Sequence, residues 1–345
     1  MKIVSIAHAL PNTSLDNAQV IDLYRQRSKE NLPAETWDEI ERRIAFFINM
    51  SGIKSRRIAW DGEDVLGLAI DASATAIKRA GKTASDIDLV IYGGVTRGWL
   101  EPSMAVAIQS RLNAENATSF DIVDACAGWA RCLHVAHSML QSGAYKNALI
   151  VNLEGGIEGC IKFDLDDPAD IKKFGAAATL GNAAAAMYVE ADDTDDFYFR
   201  FETYPEHVGL CMLPLHNAKN FLSHGTHTAD MVHDKFMADS GPLLNNTITA
   251  IINTYNKDDF LKSLDYDIIF SHAVIARANQ KISEGTGVPL DKHFSTLEEF
   301  GNTASATVPL AMSLALEQGK LQRGQRVGIV IGSAGITVAF LTFTF

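Results

Sequence analysis

Along almost its whole length this chain alternates between short runs rich in Val, Ile and aromatic residues and longer stretches rich in Ala and Leu. Short apolar runs fit buried strands and the longer stretches fit helices, so the alternation predicts an α/β fold built in layers. Strands are expected at residues 2–9, 89–93, 119–124, 148–153 and 183–190, with helices at 65–80 and 127–141. The second half repeats the scheme with strands at 197–203, 268–272, 327–332 and 337–345.

Two segments make the repetition pointed. Residues 85–93, SDIDLVIYG, and 263–271, SLDYDIIFS, share an acidic turn followed by a buried strand, as two copies of one βα unit would. The acidic runs 164–170 and 192–196 interrupt the periodicity and read as solvated loops. The second run sets a boundary between halves 1–190 and 191–345, a division that 345 residues allow.

Charge and motifs exclude several function classes. With 30 Lys+Arg against 42 Asp+Glu, the net charge of -12 opposes binding to nucleic acid. No run of about 18 uncharged apolar residues predicts a membrane span; the richest, 175–189, is broken by Thr179 and Asn182. The start of the chain reads as a strand and not as a signal peptide, and the four cysteines form no C-x-x-C pair, which together predict a reducing cytoplasm. Neither G-x-G-x-x-G nor a P-loop occurs, so no nucleotide cofactor is expected. His224 and His227 with His233 nearby, and the pair His134 and His137, each offer two ligands where zinc takes three or four, so no metal is expected.

Cys126 stands where an expected strand, FDIVD, meets a helix of small and apolar residues. Helix N-termini carry unpaired N–H groups and partial positive charge, which predicts a lowered thiol pKa; an inert buried Cys is the alternative. Ala125 and Gly128 beside it leave room for a substrate. Cys132, Cys160 and Cys211 lack this setting and read as packing residues. Downstream, His272 ends a strand, mirroring the place of Cys126, and Asn302 lies at another helix start. A Cys nucleophile with distant His and Asn partners is the arrangement for acyl transfer through a thioester.

Together, Asp124-Ala125-Cys126-Ala127-Gly128, His272 with Arg277, Gly301-Asn302-Thr303-Ala304-Ser305 and the terminal Gly332-Ser333-Ala334-Gly335 closely resemble the ketoacyl-acyl carrier protein synthase III family of thiolase-fold condensing enzymes. Ser51-Gly52-Ile53-Lys54-Ser55-Arg56 is similar to that family's early Thr-Gly-Ile-x-x-Arg segment. The resemblance implies a duplicated α-β-α-β-α thiolase fold, a homodimer, and acylation of Cys126 by an acyl-coenzyme A or acyl-acyl carrier protein. It implies that His272 and Asn302 assist carbon–carbon bond formation, and that the backbone N–H groups of Cys126 and Ala334 form the oxyanion hole. Arg277 matches a family Arg that helps to dock the carrier, and Arg56, Arg57, Lys172 and Lys173 are candidates for a basic mouth.

The departures bear on the substrate. The family's His-Gln-Ala-Asn reads His272-Ala273-Val274-Ile275, and its Gly-Asp-Gly-Ala-Gly-Ala reads Gly181-Asn182-Ala183-Ala184-Ala185-Ala186, which points away from an ordinary initiator of fatty acid synthesis and toward specialised metabolism. Glu101, before Pro102, resembles the Glu of condensing enzymes that join two acyl chains head to head, as in olefin-pathway and α-pyrone synthases; there it crosses from one subunit and acts as base. A carboxylate in an apolar tunnel would have its pKa raised toward that use. The alternatives are transfer of the Cys-bound acyl group to an alcohol or amine, or a non-catalytic subunit that completes a partner's pocket.

Overall fold

The computed structural model describes residues 1–28, 32–60, 62–194, 196–216, 218 and 231–345. Fourteen strands among them are β1 (Lys2–Ala9), β2 (Thr13–Asp16), β3 (Ser55–Ile58), β4 (Leu89–Tyr92), β5 (Thr118–Asp121), β6 (Asn147–Glu154), β7 (Ala183–Glu190), β8 (Tyr198–Thr203), β9 (Cys211–Met212), β10 (Met237–Ala238), β11 (Ile268–His272), β12 (His293–Phe294), β13 (Arg326–Ser333) and β14 (Thr337–Thr344). Two five-stranded sheets form, in the orders β1-β7-β6-β4-β5 and β12-β11-β13-β14-β8.

The sheets have the same topology. In the first, β4 is parallel to β5 and β6, and β7 is antiparallel to β6 and β1. In the second, β11 is parallel to β12 and β13, and β14 is antiparallel to β13 and β8. The strands of the repeated segments, β4 and β11, occupy the same place. Their registers extend the match: β4 and β11 pair with the eight-residue strands β6 and β13, which end at Glu154 and Ser333.

Five layers result, in the order helix, sheet, helix, sheet, helix. Helices Gly128–Gln141 and Thr307–Glu317 lie in the middle, where Trp129, Leu133, Val308 and Met312 share one core with Ile6 and Ile150 of the first sheet and Ile329 and Leu341 of the second. Helix Thr307–Glu317 is buried nearly all round, which is why its sequence, TVPLAMSLALE, shows no polar face. Helices Val65–Arg79 and Met104–Leu112 cover the outer face of the first sheet through Ala69, Ala72 and Ile108. Helices Ser240–Asn256 and Ala276–Thr286 cover the second through Ile248, Ile251 and Ile282.

The topology corrects one expectation. Cys126 follows β5, whose counterpart is β12, so its mirror is the turn after Asn302 and not the end of β11 where His272 sits. Each central helix is preceded by a three-residue turn, Ala125–Ala127 or Ala304–Ala306, whose first alanine has positive φ, +44° and +40°. Alanine rarely enters that left-handed region, and tertiary packing must hold it there. The acidic run 192–196 is also only partly a solvated loop, because Asp196 accepts from the Thr344 N–H and pairs with Arg326 at 2.8 Å.

Candidate active site

Cys126 occupies the middle of the turn Ala125–Ala127, one turn ahead of the helix Gly128–Gln141. That turn packs against the turn Ala304–Ala306 and against β13. Ser333, the last residue of β13, clasps it: its hydroxyl accepts from the Ala127 N–H at 3.2 Å and reaches the Asp124 carbonyl at 3.2 Å. The expected low thiol pKa is not found. Burial pushes the Cys126 thiol well up, Cys211 and Glu154 add to the rise, and hydrogen bonds from the backbone N–H groups of Ala334 and of Cys126 itself oppose it. Desolvation of the charged form outweighs the field of the nearby helix end. The room predicted at Gly128 is likewise occupied, since a Cβ there would lie 2.1 Å from the Gly93 carbonyl oxygen. Glycine at this place serves backbone contact between strand end and helix.

His272 is buried at the end of β11, and burial lowers its pKa to about 4, so the ring is neutral. Its Nδ1 lies 3.1 Å from the Thr307 hydroxyl, which lies 3.2 Å from that of Thr303. With the Thr307 hydroxyl donating to Nδ1, the ring proton resides on Nε2. Sequence reasoning missed Thr307, although it lies in the same segment as Asn302.

Asn302 is buried and pinned through its backbone: its N–H donates to the Thr179 carbonyl at 2.8 Å, and its carbonyl accepts from Gly181 at 3.0 Å. The side-chain oxygen accepts from the Ala304 N–H at 2.9 Å, which orients the amide so that the NH2 end is the one a ligand would meet. Asn182, in place of the family Asp, ties this strap to the second layer of contacts by accepting from the Ala59 N–H at 2.8 Å.

Glu101 is exposed, in a loop that leads into helix Met104–Leu112. Its own chain therefore supplies no apolar tunnel around it. Arg277 is exposed near the start of helix Ala276–Thr286, which abuts the turn at Gly52. Arg56 does not belong to any mouth: it is 1% exposed, donates to Asn17 at 2.9 Å, and burial lowers its pKa to about 10. Arg57 is tied to the carbonyls of Pro11 and Asn12. Lys172 lines an open groove of about 650 Å³ with Arg42, Arg43 and Phe46, where Glu39 pairs with both arginines and Asp239 lies 3.9 Å from Lys172. Lys173 leans on the Phe174 ring.

The remaining cysteines divide. Cys132 is fully buried in the central core, as a packing residue is. Cys211, expected to be another, stands close enough to Cys126 to raise its thiol, while burial pushes Cys211 itself up to about 12. His134 stacks on Phe199 and His137 packs against the same ring at a tilt, and His233 faces the Leu215 carbonyl at 3.1 Å. His224 and His227 lie outside the described residues.

Residues 120–204 match the family described as 3-oxoacyl-[acyl-carrier-protein (ACP)] synthase III, and residues 258–345 match the family described as its C terminal. The chain belongs to the 3-oxoacyl-[acyl-carrier-protein] synthase III family. The two matched segments hold Cys126 on one side and His272, Asn302 and Ala334 on the other. A synthase III of Clostridium perfringens is 27% identical over 330 residues, covering 94% of this chain and 98% of that protein. Synthase III 2 of Halalkalibacterium halodurans is 26% identical over 306 residues, covering 85% and 86%. Among solved structures, synthase III of Aquifex aeolicus superposes with a TM-score of 0.80 at 20% identity over 100% of this chain and 99% of that one. OleA of Xanthomonas campestris, solved with lauric acid and lauroyl-CoA, superposes with a TM-score of 0.83 at 21% identity over 99% and 98%. These likenesses establish the thiolase fold for the synthase III chain described above. No helix among the described residues is long and apolar enough to cross a membrane.

Proposed function

We propose that this chain is a ketosynthase that loads an acyl group on Cys126 and joins it to a second acyl thioester by Claisen condensation. The observation that carries this reading is the meeting of the Cys126 turn with the Ala304–Ala306 turn and with β13, with the N–H groups of Cys126 and Ala334 directed at the thiol sulfur. Two converging donors beside a nucleophile suit the oxyanion of a tetrahedral intermediate. Sγ attacks the thioester carbonyl, the donor thiolate leaves, and the proton of the Cys126 thiol goes to it. The acyl-enzyme thioester keeps its carbonyl electrophilic.

In the second half-reaction the enolate of the second thioester attacks that carbonyl, a C–C bond forms, and the C–S bond to Cys126 breaks. Neutral His272 through Nε2–H and Asn302 through its NH2 stabilise the enolate oxygen. A His with a pKa of about 4 suits the task, since it donates a hydrogen bond without giving up a proton. Glu101 of a second copy removes the α-proton of the second substrate. Its exposure, beside Leu100 at 65% and Val123 at 70%, and the open edge at β5 support a homodimer in which this loop enters the other cleft. The donor is an acyl-coenzyme A or acyl-acyl carrier protein, approaching past Arg277 and the groove with Arg42, Arg43 and Lys172. Ala273 and Asn182, where the family has Gln and Asp, support a role in specialised metabolism, with a β-keto product that cyclises, for example to an α-pyrone.

Intact-protein mass after incubation with a panel of acyl-coenzyme A thioesters tests the reading. An adduct in wild type that Cys126→Ala lacks is expected, with condensed product in the small-molecule fraction; Glu101→Gln keeps the adduct and loses the product. Transfer to an added alcohol or amine without C–C product would replace the condensing reading by simple acyl transfer.

A further inference from the structure

Glu154, at the end of β6, is fully buried and plays no part in the reaction just described. No cation among the described residues pairs with it. Instead its carboxylate accepts four hydrogen bonds from two different segments. From the loop after β4 come the N–H groups of Val95 at 2.9 Å and Thr96 at 3.2 Å. From the turn after Asn302 come the Ser305 hydroxyl at 2.5 Å and the Ser305 N–H at 3.3 Å. Asn152, two residues earlier on β6, also donates to the Ser305 hydroxyl at 3.1 Å.

A buried carboxylate without a counter-charge is expensive, and a neutral side chain would avoid the penalty. What the carboxylate alone supplies is acceptor capacity: two oxygens for four donors, three of them backbone-fixed or turn-fixed in orientation. The two segments it joins are functional in the reading above. One continues through Arg97 and Gly98 to Glu101; the other begins with Asn302 and continues into the helix that carries Thr307. Resting on that reading, we infer that Glu154 is a positioning residue for condensation, holding the Asn302–Ser305 turn and the root of the Glu101 loop in one frame. It acts through the Asn302 turn at one end and the Glu101 loop at the other, and touches no substrate atom.

The roles of the two ends can be separated by substitution. In Glu154→Gln, Oε1 retains the Val95 N–H and both Ser305 donors while the amide NH2 faces the Thr96 N–H, so the Thr96 contact at the root of the Glu101 loop is the one lost. Ser305→Ala removes the hydroxyl contact at the other end and keeps the N–H one, leaves Glu154 in place and guards against misfolding of the first variant. Both are expected to acylate Cys126 within about 3-fold of wild type, by intact mass, and to lose condensation by about 10- to 100-fold, the scale of a hydrogen bond to a charged group. In an Asn302→Ala background, Ser305→Ala should slow residual condensation by less than about 2-fold, since the turn it loosens has no amide left to position. Wild-type condensation in both variants, or the same factor of loss for Ser305→Ala with and without Asn302, overturns the inference. Wild-type chain that acylates without condensing would overturn the ketosynthase reading itself, which is a different result from wild type condensing and both variants matching it.

Discussion

At His272 a single physical effect, burial, decides the protonation state, and it leaves a trace in stability. Its pKa falls from 6.5 to about 4 in the folded chain, so between those values the unfolded chain binds a proton that the folded ring refuses. Stability must then fall as pH drops from about 6.5 toward 4. His272→Gln is expected to flatten part of that slope in urea unfolding titrations; His8, His134 and His293, also lowered by burial, retain the rest. An unchanged slope would mean that the ring is not neutral by burial. Cys126, His272 and Asn302 were legible in the sequence because each belongs to a local motif. Thr307, Cys211 and Glu154 were not, because their relevance arises from contacts between segments far apart in the chain. The thiol pKa was misjudged for the same reason: a helix end can be read locally, whereas desolvation depends on what the rest of the chain brings to cover it.

The strands and helices expected from the sequence lie within a few residues of those observed, since hydrophobic run length reports burial directly, whereas the short strands β2, β3, β9, β10 and β12 and helices such as Asn17–Arg27 and Ala34–Ser51 were not foreseen. Among the expected strands of the first half the largest difference lies at β5, which ends at Asp121 and not 124, because residues 122–124 leave the sheet to form the approach to Cys126. What patterning could not show is where two elements touch backbone to backbone. Gly128 is such a place, with a Cβ position 2.1 Å from the Gly93 oxygen and 3.6 Å from the Ser305 Cβ. Gly128→Ala should therefore destabilise the chain by about 3 kcal/mol, at the upper end of overpacking effects, because the obstacle is a backbone carbonyl that cannot rotate aside. Chemical denaturation measures it, and the variant should also lose adduct formation at Cys126. A change below about 0.5 kcal/mol would show that strand and helix separate freely there.

At the scale of the whole molecule, the open β5 edge, the exposed apolar residues Trp99, Leu100 and Val123, and the exposed Glu101 lie together in sequence around one rim. If Glu101 serves the other subunit, co-expressed Cys126→Ala and Glu101→Gln chains complement each other. Random pairing makes half the dimers mixed, each with one complete site, so about a quarter of wild-type condensation is expected. Activity no higher than in either parent alone would place Glu101 in its own chain's cleft or out of the reaction. Val123→Lys should halve the mass found by light scattering. The duplicated topology itself has a further consequence. Ser333 and Glu154 end equivalent strands, yet each grips the turn belonging to the opposite sheet. Neither half can therefore set its own turn: expressed separately, each would be a sheet without the hand that shapes its business end. In the proposed reaction the two steps fall to unequal side chains on matched backbones, a thiol on one turn and an amide beside the other, an asymmetry that a perfect repeat could not supply.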